Sequence, residues 1–583
     1  MKGRMPLQSK PRFDVEGGGE SACCGMCFCS KRQKRICCVL IWLPVLVVFI
    51  LLAAVLIKGL TVKDKFERMK LSDEEVELLN PDNATQLVWA KKLGDAIKIP
   101  TVSRSETDQN VEEINNLHAY LKSRFTTVFS SENVEVSYPN SLSILLRVQG
   151  SKPTPNPYLL CAHLDVVPAG DLDQWDHEPF LGEVVDQDDD QFIYGRGAID
   201  DKHSVVGILQ ALEIVLDSGG QPDRTFYVAF GHDEEVSGLN GAGEISKDLK
   251  ILLDEHNEKL DFLLDEGMFV MQDVVPGVDD PVIYIGVVEK GWTTLELTVT
   301  GDQSHSSAPP RESTIGILAK AVSNLEKHRS PAKFSSGPEY DSMSYLAPHA
   351  SFLFKLILSN LWLFKDAVSS VLAGGSELDA IQRTTTAVTI IEGGIKENVI
   401  PSFARAIVNH RIHPTEVLDD ILKHDKHVID DDRVKIETKG YFPPPPISPY
   451  SNDAVAFQVI ANSALDVFPE AHITPGTLIA NTDTKHYLDL TDKIYRFSPA
   501  FITKNDTKRF HGFNERISVK NFVQVVEFYH RVMKNADVQV QMSFEMEEEG
   551  SGHCDHQEED CEGSGKKLLD DKIMDYELVE DDM

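Results

Sequence analysis

The amino-acid sequence predicts an α/β fold that contains an inserted α+β unit and is preceded by one membrane-spanning helix. Three features of the 583-residue chain support this prediction. Short runs of β-branched and aromatic residues alternate with helical patterns from about residue 85 onward, half-exposed strand patterns interrupt them near Gly291, and an uncharged run precedes them all. Alternating strands and helices are typical of a sheet covered by helices.

The first element is the uncharged run from Ile36 to Ile57, ICCVLIWLPVLVVFILLAAVLI. About 20 apolar residues in a helix cross the hydrocarbon core of a bilayer, so residues 36–58 are predicted to span a membrane. The basic segment Lys31–Arg35 precedes the run, and positive residues favour the cytoplasmic side. The sequence therefore predicts a single-pass type II membrane protein, with residues 1–35 in the cytoplasm and the body extracellular or lumenal. The alternative is a cleaved signal peptide, which would give a secreted form.

Cysteines and sequons agree with that topology. Six of the nine cysteines flank or enter the apolar run, where they are candidates for palmitoylation, and only Cys161 lies in the body. An internal disulfide network is therefore excluded for the body. Two N-x-T sequons, at Asn83 and Asn505, are compatible with a glycosylated lumenal domain.

The net charge of −35 argues against nucleic acid as a partner, because phosphate binding needs clustered lysine and arginine. From Glu545 to Met583 there are 16 acidic and 3 basic residues, so this stretch contributes −13. Such a composition is typical of a solvated segment, and residues 536–583 are predicted to be a disordered acidic tail.

The body divides into three stretches by texture. Residues 85–290 hold predicted strands around a strong helix, Ser204–Leu216, and form the first part of an α/β domain. Residues 291–412 hold half-exposed strands and are predicted to be a smaller α+β domain inserted into the first. Residues 413–535 return to α/β texture and complete the α/β domain. The predicted strands of the first stretch are Ser143–Leu146, Tyr158–Ala162, Phe192–Tyr194, Thr225–Phe230 and Phe262–Leu264.

Residues able to bind metal follow these strands. The motifs are His163-x-Asp165, Asp200 after a glycine-rich turn, Glu234-Glu235, Asp265-Glu266 and, late in the chain, His511. Each has an ordinary explanation taken alone, such as helix capping by Asp200 or a solvated acidic turn at Glu234. Together they are harder to dismiss, since open α/β sheets place their sites at the carboxyl ends of strands. Carboxylates and imidazoles without a thiolate suit a pair of hydrolytic zinc ions, with manganese or cobalt as alternatives.

The motifs HxDVVP, YGRGxxDDK, DEEVxG, LDEG and HGxNE, in this order over residues 85–535, resemble the dizinc peptidases related to aminoacylase, carboxypeptidase G and carboxypeptidase S. The resemblance implies a zinc-exopeptidase-like catalytic domain with a central mixed sheet flanked by helices, formed by residues 85–290 and 413–535. It also implies that the inserted residues 291–412 are a lid, and homodimers occur among such enzymes. It also implies the site roles. His163 and Asp265 would bind one ion, Glu235 and His511 the other, and Asp200 would bridge them. Asp165 would orient His163, Glu234 would be the general base, and Glu266 is the rival of Asp265.

The same resemblance assigns three lid residues. His305, in the segment TGDQSHSS, and Asn398, in GGIKENVIP, would stabilise charge on the carbonyl oxygen. Arg411, in NHRIHP, would bind the carboxylate of an amino acid. Arginine can form two parallel hydrogen bonds with a carboxylate, which suits this role.

Within the family, Asn481–His486 and Arg509–Ser518 look closest to the branch that hydrolyses or forms the amide bond of N-fatty-acyl amino acids. The apolar run Phe352–Phe364 would then line a groove for the acyl chain, or be an ordinary lid helix. Two other functions remain open. One is a lumenal Gly-X-type metallocarboxypeptidase or aminoacylase, and the other is an inactive binding ectodomain, against which the full set of ligand residues argues.

Overall fold

The computed structural model describes residues 31–71, 77–152, 156–187, 190–335 and 337–551, and the side chains within these ranges except 31–41, 376–377 and 538–551. The chain divides after Thr61 into two units. The first contains one helix, Lys31–Thr61, whose segment Trp42–Thr61 has a mean hydropathy of 2.7. Among the described residues this is the one helix long and apolar enough to cross a membrane, although a signal sequence would meet the same criteria. The basic and cysteine-rich segment before Lys31 lies outside the described residues.

The second unit begins at Val62 and contains two main sheets with their covering helices. Counting the first helix as α1, the helices are α1 Lys31–Thr61, α2 Asn83–Ile97, α3 Val111–Arg124, α4 Thr126–Ser130, α5 Lys202–Asp217, α6 Ala242–His256, α7 Thr314–Lys327, α8 Pro338–Leu346, α9 Phe352–Leu358, α10 Leu361–Leu372, α11 Ser376–Ile381, α12 Leu418–Ile429, α13 Val455–Val467 and α14 Val519–Ser551. The strands are β1 Ser103–Ser105, β2 Asp108–Gln109, β3 Val134–Ser137, β4 Ile144–Val148, β5 Tyr158–His163, β6 Val184–Gln187, β7 Asp190–Tyr194, β8 Phe226–Gly231, β9 Leu263–Gln272, β10 Val282–Glu289, β11 Gly291–Thr300, β12 Ser304–His305, β13 Thr385–Gly393, β14 Val399–Ile400, β15 Phe403–Ile412, β16 Lys435–Phe442, β17 His472–Leu478, β18 Ile494–Thr503 and β19 Arg516–Ser518.

The larger sheet is mixed, which confirms that part of the predicted fold. Its eight strands have the order β17-β10-β18-β9-β5-β8-β4-β3. Helices α2, α5, α13 and α14 contribute to the apolar core on one face, and α6 packs on the other. The strands β18, β9, β5 and β8 are parallel neighbours. Because their carboxyl ends lie at one edge of the sheet, the segments that follow them are brought together there.

The smaller sheet is antiparallel, with the order β13-β15-β11-β16. Apolar side chains of α7 and α12 pack against it. Because β16 pairs with β11, this sheet reaches Phe442, beyond the predicted boundary at residue 412.

Three details differ from the sequence-based expectation. The strand before Asp200, β7, belongs to a separate three-stranded sheet with β6 and β19. The apolar run 352–364 falls in α9 and α10, which share an apolar cluster with β10 of the larger sheet rather than with the smaller sheet. Helix α14 continues to Ser551, so residues 536–551 are helical where disorder was predicted, and Ala536 is fully buried. Residues 552–583 of the predicted tail lie outside the described residues.

Candidate functional site

His163 is the last residue of β5 and is almost fully buried. Its Nδ1 lies 3.0 Å from the backbone oxygen of Asp165 and 3.4 Å from Oδ1 of the same residue. A ring nitrogen facing a carbonyl donates to it, so Nδ1 carries a hydrogen and Nε2 is the nitrogen that faces the neighbouring carboxylates. Nε2 lies 3.0 Å from Oδ1 of Asp200 and 3.4 Å from Oε1 of Glu266. The turn that follows β5 therefore directs Nε2 of His163 toward a group of side chains that could hold a metal ion.

Asp200 lies between two histidines. Its Oδ1 faces His163, and its Oδ2 lies 3.1 Å from Nε2 of His511. The same Nε2 lies 3.2 Å from Oε2 of Glu235. The two oxygens of Asp200 thus face two separate groups of ligand atoms, which is the arrangement that a bridging carboxylate requires. Burial alone would raise the pKa of Asp200, but the hydrogen bonds with His163 and His511 lower it.

Glu266, and not Asp265, faces His163. Both residues lie on β9, where neighbouring side chains point to opposite sides, so only one of them can face the cluster. Asp265 is buried, and its Oδ2 has no hydrogen-bond partner among the described residues. Burial raises the pKa of Asp265 to about 6. The sequence-based assignment of Asp265 to the first ion is therefore not the one that this geometry favours.

Asp165 joins two of the loops at the site. Its Oδ1 accepts a hydrogen bond from the backbone N–H of Glu234 (3.1 Å) and its Oδ2 accepts one from Glu235 (3.3 Å). The turn after β5 thereby fixes the turn after β8. Burial, followed by the negative charge of Glu266, raises the pKa of Glu234.

The cluster has the chemistry of a divalent cation site. One ligand atom each from His163, Asp200 and Glu235 lies within 4.8 Å of the others, and so does one each from His163, Asp201 and Glu266. The hydrogen bonds that His511 donates to Asp200 and Glu235 raise its pKa to about 10. Carboxylates outnumber imidazoles, and a bound cation would offset the repulsion between their buried negative charges. Oxygen and nitrogen donors without sulfur fit zinc, manganese or cobalt.

Glu515 supports the loop that bears Asp200. The sequence shows Glu515 only as the last residue of the motif HGxNE and does not indicate this role. This fully buried carboxylate accepts hydrogen bonds at Oε1 from the backbone N–H groups of Gly197 (3.0 Å), Ile199 (2.8 Å) and Asp200 (3.2 Å). Its Oε2 lies 2.7 Å from Nη1 of Arg196. Arg196 in turn donates from Nη2 to the backbone oxygen of Gly512, 2.9 Å away, beside His511. One buried ion pair thus fixes the two segments that bear Asp200 and His511.

The three predicted lid residues fall at two places. His305 and Asn398 lie close together, since β12 pairs with β14 and the N–H of Ser306 donates to the backbone oxygen of Asn398 (3.1 Å). Both side chains are exposed, and none of the hydrogen bonds found among the described residues joins them to the acidic cluster. Arg411 lies on β15 and donates to the side chain of Asn481, which itself donates to the backbone oxygen of Lys290 (2.6 Å). Asn481 is a contact that sequence reasoning did not assign.

Several known proteins are similar to this chain over most of its length. The family described as "Peptidase family M20/M25/M40" matches residues 159–535. The chain is 45% identical over 460 residues to the N-fatty-acyl-amino acid synthase/hydrolase PM20D1.1 of Danio rerio, covering 79% of this chain and 87% of that protein. It is 39% identical over 486 residues to the probable carboxypeptidase S-like 2 of Dictyostelium discoideum, covering 81% and 90%. The M20 family metallo-carboxypeptidase Sso-CP2 from Sulfolobus solfataricus has the same fold, with a TM-score of 0.56 at 18% identity over 79% of this chain and all of that one.

Proposed function

The chain belongs to peptidase family M20/M25/M40, and we propose that it hydrolyses or forms the amide bond between a fatty acid and the amino group of an amino acid. The observation that carries the chemistry is the placement of both oxygens of Asp200 between His163 and His511. The choice of substrate rests on the relatives named as N-fatty-acyl-amino acid synthase/hydrolases, which match over most of the chain.

In this proposal the cluster would hold two divalent ions, preferably zinc. His163 and Glu266 would hold the first ion, Glu235 and His511 would hold the second, and Asp200 would be shared by both. Such a pair lowers the pKa of a water molecule and polarises the carbonyl group of an amide. The backbone oxygen of Asp165 accepts a hydrogen bond from Nδ1 of His163 and thereby keeps Nε2 directed at the site.

Glu234 acts as the general base. Its backbone is fixed by Asp165, while its carboxyl group is not needed as a ligand. It takes a proton from the attacking water as the oxygen bonds to the carbonyl carbon, and it returns a proton to the nitrogen as the C–N bond breaks. In the reverse direction the amino group of the amino acid attacks the fatty-acid carboxyl carbon, and water leaves.

Residues of the inserted segment 291–412 complete the proposed site, and this segment acts as a lid. Arg411 lies on β15 of the smaller sheet, whereas His305 and Asn398 lie at the separate β12–β14 ribbon. The N–H of Ser307 donates to Nδ1 of His305 (3.1 Å), so the ring hydrogen of His305 is on Nε2 and is available to a developing oxyanion. Asn398 is a second donor on the same ribbon. Arg411, positioned by Asn481, binds the carboxylate of the amino acid.

We also propose a membrane anchor. Helix α1 anchors the chain as a type II protein, and the body lies on the extracellular or lumenal side. The basic segment before the apolar run supports this orientation. The alternative, a secreted form, requires cleavage near the end of α1 and is detected by N-terminal sequencing of the mature protein.

A second function remains in competition, because a relative at 39% identity is named as a carboxypeptidase S-like protein. The test is to incubate the full chain, loaded with zinc in detergent, with N-oleoyl-phenylalanine or with glycyl-leucine, and to measure free amino acid by mass spectrometry. Release from N-oleoyl-phenylalanine alone supports the proposal. Release from the dipeptide alone would replace the proposed activity with that of a carboxypeptidase. The experiment uses the full chain because α14 extends beyond the residues matched by the family.

A further inference from the structure

An apolar surface lies on helices α9 and α10 of the second unit. Five large apolar side chains there are exposed, by fractions from 43% to 73%: Phe352, Leu353, Trp362, Leu363 and Val371. Water-soluble surfaces seldom gather so many large apolar side chains within about 20 residues without a binding role. We call this set the α9–α10 surface.

The indole of Trp362 is already satisfied inside the protein. Its Nε1 donates to Oδ1 of Asn360 (3.1 Å), and Nδ2 of Asn360 donates to the backbone oxygen of Leu356 (2.9 Å). The exposed part of the ring therefore needs no polar partner. Lys355 and Lys365 lie on the same two helices, and basic and aromatic residues together are typical of surfaces at a lipid interface.

The chain enters the second unit on the same side. Val62 directly follows the apolar helix and packs against the apolar cluster that contains Leu358, Leu361 and Leu372 of α9 and α10. Further contacts fix the next residues to the adjoining helix and turn. The side chain of Asp64 lies 3.1 Å from Nε2 of His349, and Nζ of Lys65 lies 3.5 Å from Oδ1 of Asp341.

We propose that the α9–α10 surface lies in the interface of the phospholipid bilayer that α1 spans. The inference rests on the proposed anchor. If the chain leaves the membrane at Thr61, the contact of Val62 with the apolar cluster of α9 and α10 keeps these two helices close to the lipid. The covalent anchor then supplies a high local lipid concentration, so a modest apolar surface is enough for stable docking. A long-chain acyl amino acid dissolves in the same lipid, so docking keeps the enzyme where that substrate accumulates.

The test uses the full chain in phosphatidylcholine nanodiscs whose lipids carry an alkyne at the end of an acyl chain. The photoreactive amino acid p-benzoylphenylalanine replaces Leu363 in one variant and Ile251 in the control. Ile251, on α6, is 55% exposed, against 43% for Leu363, so the control is at least as accessible. After irradiation, lipid attached to the protein is measured by fluorophore coupling. We expect several-fold more lipid at position 363 than at position 251.

A second variant, Phe352→Glu with Val371→Glu, carries the probe at 363 and should lose most of that labelling. Circular dichroism and the gel-filtration profile serve as the folding control for every variant. Equal labelling at 363 and 251 in a chain that resists carbonate extraction overturns the docking inference alone. Crosslinks between two protein chains at 363 overturn it in favour of a second copy. Extraction by carbonate overturns the anchor and the docking together, while amide hydrolysis tests the proposed activity separately.

Discussion

Glu515 holds the segment that bears Asp200, with its Oε1 3.2 Å from the backbone nitrogen of Asp200. The two residues are far apart in sequence, and neither would be well placed without the other. A backbone N–H that donates to a carboxylate is fixed in direction more firmly than one that donates to a neutral oxygen. The position of the proposed bridging ligand thus depends on a buried charge that does not itself face the cluster.

Replacing Glu515 with Gln should weaken metal binding and turnover by about 10- to 100-fold, the range found when partners of metal ligands are changed. The amide removes the negative charge that balances Arg196, 2.7 Å away. Metal affinity is measured by competition with a chromogenic chelator, and turnover with N-oleoyl-phenylalanine.

The matched control for Glu515 is Glu213→Gln. Glu213 also pairs with a cation, Lys92 at 2.6 Å, but lies on α5 away from the cluster. Equal losses in the two variants would mean that Glu515 acts only through general stability, and the positioning role would have to be abandoned.

Glu266 and Asp265 give a direct test of the first metal site. We expect Glu266→Gln to reduce bound zinc from two ions to about one per chain and to lower turnover by more than about 100-fold, since it removes a ligand and not only a ligand's partner. Asp265→Asn should keep both ions, because its side chain points to the other side of β9. Metal content is measured by elemental analysis after gel filtration. The reverse pattern would restore the assignment of Asp265.

Part of this fold and of the site could be predicted from the sequence, and the rest depends on contacts that a local sequence pattern does not encode. The alternation of strands and helices predicts the mixed sheet, and motifs at strand ends predict which segments meet. Asp265 and Glu266 are adjacent in sequence, and a shift of one residue along a strand reverses the face to which a side chain points. The sequence alone therefore does not show which of the two faces the cluster. The contact of Arg411 with Asn481 joins residues from different elements, which no local pattern encodes. Helix α14 includes residues 536–551, where the acidic composition of the tail predicted disorder, and Ala536 belongs to the apolar core, a tertiary contact that composition does not encode.

Glu234→Gln should separate chemistry from metal binding. The amide keeps the size of the side chain but cannot take a proton, so kcat should fall by at least about 100- to 10,000-fold. Zinc content and the KM for N-oleoyl-phenylalanine should change little, since Glu234 is not one of the proposed ligands. Glu244→Gln is the control, because Glu244 is half-buried on α6 and pairs with Lys247. If Glu234→Gln retained near-normal kcat, the base would have to be another group.

The Arg411→Gln variant should show whether Arg411 recognises the free carboxylate of the substrate. Hydrogen bonds to charged groups contribute about 1.5–3 kcal/mol, so the intact protein should prefer N-oleoyl-phenylalanine over its carboxamide by about 10- to 150-fold in kcat/KM. Arg411→Gln should remove most of that preference by slowing reaction of the acid, with little effect on the carboxamide. Arg405→Gln is the matched control, because Arg405 lies six residues earlier on the same strand and is paired with Glu392 and Glu296. Asn481→Ala should reduce the preference in part, since Arg411 would keep its charge and lose its support. An unchanged preference in Arg411→Gln would place the carboxylate elsewhere in the site and leave Arg411 as a structural partner of Asn481.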